Sequence, residues 1–377
     1  VAQLNQYFPK LCPPSCGLEI NFRRIKDNPN IKVFTLAEVE KVAGTPGNYD
    51  VTIKLSPRYV NENCTCCGDC EAACETEISS EFNFGMNKIK GAYLPFEMAF
   101  PARYVISPQI IGTEDGKRCK DACKYDAVDL DMEAKTMNLK VGAIVWATGW
   151  EPYDATKIDN LGFGQDPNVI TNMMMERLAS PNGPTKGKIT RPSDNKEPET
   201  IGFVQCAGSR DENHLPYCSY ICCMASLKQA TYIREQYPDA KVYIFYIDVR
   251  APGQRYEKFY QKIKEDENVF LIKGKVAEVN EDPGTGNITV VAENAVTGEK
   301  IKQTVEMAVL ATGMQPTTAK TKLPADLTYN NDGFIINDFE TGGMFAAGCA
   351  NKPADVVSSN QNATGMALKA IQTLVNR

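Results

Sequence analysis

Four cysteines, Cys206, Cys218, Cys222 and Cys223, lie between an apolar run and a helical run in IGFVQCAGSRDENHLPYCSYICCMASLK, residues 201–228. Four thiols at this spacing form a closed ligand set. They suit a tetrahedral zinc or, because sulfur also bridges iron, a [4Fe–4S] cluster. Spacing alone does not choose between the metals, but position constrains the fold. Residues 201–205 end where a doubly wound nucleotide-binding unit turns into its phosphate-binding helix, a turn that normally carries G-x-G-x-x-G. Here the turn carries thiols. The plainer alternative is that Cys222 and Cys223 are ordinary buried apolar residues, since free cysteine is among the most buried types.

The 377 residues leave room for two or three domains and a sizeable core. Fourteen cysteines would suit a secreted disulfide scaffold, but these gather in tight groups and follow no recognisable secretory leader, so a reducing cytoplasm is expected. A formal net charge of −6 argues against nucleic acid as a partner. No apolar run approaches the roughly 18 residues of a spanning helix, and contact with a membrane is expected only through another protein of a complex.

Read in order, the chain starts without a glycine-rich turn although later segments look like the remainder of a flavin-binding fold. The expectation is that it begins just after a first Rossmann unit. Cys12 and Cys16 follow in KLCPPSCGLEINFRR, a C-x3-C pair read as a stiff turn, either a redox pair or two loop cysteines. Residues 31–44 have the strand-and-turn form of an edge that could meet an adenine. From Asn63 the composition changes: Cys64, Cys67, Cys70 and Cys74 stand at C-x2-C-x2-C-x3-C, a bacterial ferredoxin run with Glu75 in place of the usual proline and Cys66 as an extra thiol. A second run supplies only Cys119 and Cys123. In two-cluster ferredoxins the fourth cysteine of each run serves the other cluster. Cys64, Cys67, Cys70 and Cys123 therefore complete one set, whereas Cys74 and Cys119 are what remains of the other.

Residues 139–151 read as a buried strand ending in Ala147-Thr148-Gly149, and residues 307–314 repeat the pattern with Ala311-Thr312-Gly313. Two such strands mark the two chain crossings of a two-dinucleotide flavoprotein. Between them, residues 185–200 read as a linker rich in Pro, Gly, Lys and Asp. The end, residues 342–377, enters Ala347-Gly348-Cys349 from an apolar strand, and a helix is expected after Asp355. Its N-terminus would suit partial negative charge. Lys228, on the helix leaving Cys223, is a candidate to direct an ammonium toward a flavin. His214 is read as a loop residue.

Taken together, the cysteine element, the paired ATG strands, the ferredoxin-like insert and the AAGC ending resemble the HdrA family, the flavoprotein component of heterodisulfide reductase, over essentially the whole chain. Within that family, KLCPPSCGLEINFRR and the eroded second run look most like the branch in the quinone-interacting membrane-bound oxidoreductase (Qmo) of sulfate reducers. The resemblance implies an α/β, thioredoxin-reductase-like, two-dinucleotide-binding flavoprotein fold with a degenerate ferredoxin-like insertion. It implies FAD along Gln3, Val39, Thr148, Gly149, Gly313, Gly348, Cys349 and Val356, and a [4Fe–4S] cluster on Cys206, Cys218, Cys222 and Cys223. Cys349 stands where such flavoproteins usually carry aspartate.

The expected division is an FAD-binding part at 1–60, the insertion at 61–135, more of the FAD-binding part at 136–185, an NAD(P)-domain-like unit carrying the cluster at 186–305, and a C-terminal FAD-binding part at 306–377. The implied function is electron transfer between adenylylsulfate reductase and a menaquinone-linked membrane subunit. The implied partners are Qmo flavoprotein and membrane subunits, with attachment to the inner face of the cytoplasmic membrane through the complex. Two other readings remain open: a stand-alone NAD(P)H-dependent disulfide reductase and an HdrA-like component of a soluble heterodisulfide reductase complex. A zinc-binding scaffold without redox turnover is a further rival.

Overall fold

The structure, a computed structural model, describes residues 1–8 and 10–375. The first helix, α1 (Pro14–Asp27), starts at the two prolines of the C-x3-C segment, with Pro13 as its N-cap and Pro14 inside the first turn. A proline is accommodated there because its missing N–H would have had no helical partner. The expected stiff turn is thus a helix start. A hairpin follows, β1 (Ala37–Thr45) with β2 (Asn48–Leu55).

The insert consists of α2 (Asp69–Ala73), the strand pairs β3 (Glu77–Ser79) with β4 (Lys88–Lys90) and β5 (Ala92–Tyr93) with β6 (Val105–Ile106), and α3 (Glu114–Asp121). After it, β7 (Lys135–Val141) pairs antiparallel with β2 to complete a three-stranded sheet. Next come β8 (Ile144–Trp146) and β9 (Trp150–Pro152).

The core of the molecule is a seven-stranded sheet. In chain order its elements are β10 (Val169–Thr171), α4 (Asn172–Ala179), β11 (Thr200–Ala207), α5 (Cys222–Gln236), β12 (Lys241–Tyr246), α6 (Gln254–Lys264), β13 (Val269–Glu281), β14 (Ile288–Asn294), β15 (Lys300–Val305) and β16 (Met307–Thr312). In space the order is β10-β16-β11-β12-β13-β14-β15, parallel from β10 to β13 and antiparallel beyond. Strands of a parallel sheet are covered on both faces and read as continuous apolar runs. Accordingly, Ile201 and Phe203 pack under α4 and α5, while Val204 faces the opposite core with Val290 and Leu310.

The sheet reaches beyond the 186–305 unit expected from the sequence. β10 joins it from before residue 185, and β16, the second ATG strand, lies between β10 and β11. Sequence position could not show this, because the partners of β16 are more than 100 residues away.

The chain then crosses back through β17 (Met314–Pro316), which pairs antiparallel with β9, so both crossing segments run side by side. β18 (Met344–Ala346) pairs parallel with β8, and α7 (Val356–Val375) closes the described chain. Asp355 caps α7 by accepting from Ser358 N at 2.7 Å. No helix among the described residues is long and apolar enough to cross a membrane.

Candidate functional site

An apolar cleft lies where the crossing ribbon, the N-terminal segment and α5 meet. Gln3, Trp150 of β9, Met314 of β17, Met224 and Lys228 of α5, and Val356 of α7 all contribute to its wall, and it encloses about 1120 Å³ including its open mouth. Clefts of this kind, mostly apolar with a few convergent polar groups, are the usual form of a cofactor site. The polar groups are specific. Lys228 Nζ pairs with Glu176 Oε1 at 2.9 Å and donates to Gln6 O at 2.6 Å, with both ionic side chains almost fully buried. Gln229 donates to Glu176 Oε1 at 2.7 Å and to Asn172 O at 2.9 Å, leaving its own buried Oε1 without a partner. The ammonium that the sequence aims at a flavin is therefore already charge-balanced by a carboxylate on α4.

The thiol set adjoins this cleft through one element. Cys222 and Cys223 occupy the first turn of α5, while Met224, Ala225, Lys228 and Gln229, on the same helix, line the cleft. No side chain caps the N-terminus of α5, so its first N–H groups and the positive end of its dipole are left for negative charge such as thiolate. Cys206, next to last in β11, has φ +57°, in the left-handed region, where the pairing of β11 with β16 shifts register. Burial pushes its thiol up to about 11, and Cys223 and Cys218 add to the rise. Cys222 is pushed well above the usual thiol range by burial, then by the charges of Cys206, Cys223 and Cys218.

The four thiols are thus electrostatic neighbours, but they do not converge on one point. Cys222 Sγ donates toward Thr312 O at 3.8 Å and Cys223 Sγ toward Asp248 O at 3.7 Å, while Cys218 Sγ accepts from Tyr220 N at 3.4 Å. Among the described residues no three Cys, His, Asp or Glu side chains form a preformed metal-ligating cluster. His214 stays apart, its Nδ1 2.9 Å from Tyr153 Oη.

In the insert, Cys64, Cys67, Cys70 and Cys123 line one pocket with Val60 and Tyr104. Burial, then Cys64, Cys123 and Cys67, push Cys70 up to about 12 against a hydrogen bond that lowers it. The other half is closed by protein. Cys74 Sγ donates to Asp115 Oδ2 at 3.3 Å, Cys119 lies against Cys74, and Thr113 caps α3 by accepting from Gly116 N at 3.3 Å. A Cβ on Gly116 would stand 2.4 Å from Ile110 O, so no larger side chain fits there unless the backbone moves. Cys66, with φ +58°, lies beside Cys64 and Cys67 outside the lining of that pocket.

No protein-family model matches the sequence. Among curated proteins, the chain is 38% identical over 386 residues to an A-type iron–sulfur subunit of CoB–CoM heterodisulfide reductase from Methanopyrus kandleri, covering 99% of this chain and 58% of that protein. It is 37% identical over 382 residues to the A-type iron–sulfur subunit of the same enzyme from Methanocaldococcus jannaschii, covering 97% and 57%. Over nearly its whole length the chain is similar to the A-type subunits of heterodisulfide reductase. It spans a little over half the length of these relatives. Among solved structures, thioredoxin reductases of T. acidophilum and Lactococcus lactis align with TM-scores of 0.40 and 0.41 at 14% and 15% identity. They cover 75% and 76% of this chain and 84% and 86% of theirs, too loose a likeness to carry weight.

The residues that the HdrA resemblance assigns to FAD are placed unevenly. Gln3 and Val356 line the cleft together with Lys228. Thr148 and Gly149 lie between β8 and β9, the Thr148 Oγ1 buried without a partner and the space over Gly149, at φ +76°, open. Gly348, at φ +60°, donates its N–H to Asn362 Oδ1 on α7 at 2.7 Å. Cys349 lies buried beside it, its Sγ 3.7 Å from Ser359 Oγ.

Two residues lie elsewhere. Val39 packs in the separate cluster around Trp146 and Ile335. Gly313 is walled in: a Cβ there would stand 2.3 Å from Ser209 Oγ and 2.8 Å from Ser219 Oγ, so glycine is what lets the cysteine loop close over the strand end. Cys12 and Cys16 do not line the cleft.

Within the cleft the orphaned Gln229 Oε1 and the apolar walls fit a large cofactor with hydrogen-bonding edges, while Thr148 Oγ1 and the open space at Gly149 lie outside its lining. The four thiols are soft donors in chemistry but are not gathered on one point. Sequence reading missed Glu176, Gln229, Trp150 and the Tyr256–Asp355 hydrogen bond at the rim, 2.5 Å long. For Glu176 one signal existed, since NMMMERLA sets a charged pair into an apolar helical run that had to be buried.

Proposed function

We propose that this chain is the part of an oxidoreductase complex in which FAD and an iron–sulfur centre are held side by side, so that two-electron and one-electron transfers are interconverted. The supporting observation is α5, which carries two of the four thiols in its first turn and cleft-lining residues, including Lys228, immediately after. When bound, FAD would supply an acceptor of two electrons that releases them singly. Gln3, Thr148, Gly149, Gly348, Cys349 and Val356 would hold it, with Val39 and Gly313 in supporting positions. The chain's own contribution is to keep Lys228 and Glu176 paired at the cleft wall and to exclude water with Trp150, Met224 and Met314. Cys206, Cys218, Cys222 and Cys223 would hold one [4Fe–4S] cluster. Cys64, Cys67, Cys70 and Cys123 would hold a second, and the collapsed half of the insert none.

At the finer level the KLCPPSCGLEINFRR segment and the eroded second run favour a QmoA-like role. In that role the protein would work with QmoB-like and QmoC-like partners, link the menaquinone pool to adenylylsulfate reductase, and reach the inner face of the cytoplasmic membrane through the complex. The names of the relatives favour a second reading, a component of a heterodisulfide reductase complex. Affinity isolation of the full-length protein from its native cells under anaerobic conditions separates the two. Recovery with a membrane protein, together with flavin reduction by quinol, supports the first. Recovery with thiol-disulfide reductase subunits supports the second, and recovery alone with rapid flavin bleaching by NADPH would overturn both.

A further inference from the structure

A second cleft opens between α1, residues 31–35 and the insert, and it is basic in a chain of net charge −6. Arg58 and Arg103 line it, both half-buried, with exposed Lys26 at its edge. Arg58 donates to Thr35 Oγ1 at 2.6 Å and toward Arg103 O at 3.5 Å. Neither guanidinium has a carboxylate within ion-pair distance among the described residues. Arg191, Arg210 and Arg234, also partly or fully buried, each hold an Asp or Glu, and the fully buried Arg177 is instead satisfied by Asn83, Asn182 and the Gln3 carbonyl. Burial and the like charge of Arg103 both work against the charge on Arg58. Two adjacent guanidiniums without a counter-ion present donor forks shaped for carboxylates.

Two more features favour a macromolecular carboxylate over a small free anion. Ile31, Val33 and Phe34 flank the arginines at 45%, 46% and 39% exposure, an apolar rim that a small anion would leave wet. Arginine beside exposed aromatic and aliphatic groups is the composition of protein interfaces. The cleft also backs onto the insert's thiol pocket. Val60 and Tyr104 line that pocket, whereas Arg58 and Arg103, two residues and one residue before them, line the cleft, and Ile106 N bonds Arg58 O at 3.2 Å across the shared wall.

We propose that the cleft around Arg58, Arg103 and Lys26 is a docking surface for an acidic electron-carrier protein, whose carboxylates pair with the two unpartnered guanidiniums. Only the kind of partner rests on the electron-transfer reading; the docking chemistry does not. Redox interfaces of this type are small and transient, and their association is steered by charge.

The probe is oxidised flavodoxin, a small acidic protein, and the measurement is its binding to the full-length protein. Affinity should fall about tenfold or more as salt rises from about 50 to about 500 mM, because screening shortens the reach of the arginines. The double variant R58E/R103E should lose about tenfold in affinity at low salt and converge with the parent at high salt. K26E, at an exposed helical position whose reversal leaves the core untouched, should lose a few-fold in the same direction, and it decides the matter if the double variant fails to fold. Binding that ignores salt, or is unchanged in both variants, overturns the proposal. So does full displacement by millimolar inorganic pyrophosphate at constant ionic strength, which would make the cleft a small-anion site. Binding in the predicted pattern without electron transfer from reduced flavodoxin would instead sink the electron-transfer reading and leave the docking surface standing.

Discussion

Single residues show how much of this molecule depends on charges buried in pairs. Lys228 and Glu176 are each under 5% exposed, and removing one leaves the other unpaired in a low-dielectric site. Such a loss costs about 3–5 kcal/mol, whereas removing both together is much less harmful. Lys228→Met and Glu176→Gln are therefore each expected to lower unfolding free energy strongly, and the double variant by clearly less than their sum, as read by denaturant melts. Asp115 shows the same logic in the insert. Burial pushes its carboxyl up, but hydrogen bonds from Thr76, Glu75 and Arg118 outweigh burial and hold it well below the usual carboxylate range. A depressed carboxylate contributes stability that is present above its unfolded value, near about 3.9, and is lost as pH falls toward the native one. Asp115→Asn should thus cost about 2 kcal/mol at neutral pH and flatten the acid limb of the insert's unfolding curve.

At the scale of elements, the second ATG strand, β16, and the gathering of Cys64, Cys67, Cys70 and Cys123 around one pocket were legible because tight strand ends and cysteine spacing are written in contiguous residues, whereas residues 139–151, expected as one buried strand, are divided between β7 and the short, partly exposed β8. The contacts that complete the cleft were not. Arg177 ties three distant segments together, donating to Asn83 Oδ1 at 2.7 Å, Gln3 O at 3.3 Å and Asn182 Oδ1 at 2.8 Å, and no local pattern announces such a fastener. β16 was legible as a strand but not as the neighbour of β10 and β11, for the same reason. The insert makes a prediction at this scale. Because Cys74 is taken up by Asp115, with Ile110 packed close by and Cys119 against it, replacing both of those cysteines by Ser should leave iron content unchanged. Cys70→Ser should remove about four irons, the content of one cubane. Iron lost from the Cys74/Cys119 variant would show that the second half still binds a cluster.

For the whole molecule, the seven-stranded sheet, the crossing ribbon of β9 and β17, and α7 bring the N-terminal segment, α5 and the chain's last helix to one cleft beside one group of thiols. The central claim is that this meeting place joins a flavin to an iron–sulfur centre. Its most direct test is iron and flavin analysis of the anaerobically purified full-length protein with and without Cys222→Ser. The account predicts that the variant keeps its flavin and loses about four irons per chain, with the matching loss of the broad iron–sulfur absorbance. Unchanged iron content in a folded variant, or zinc in place of iron in the parent, would contradict it.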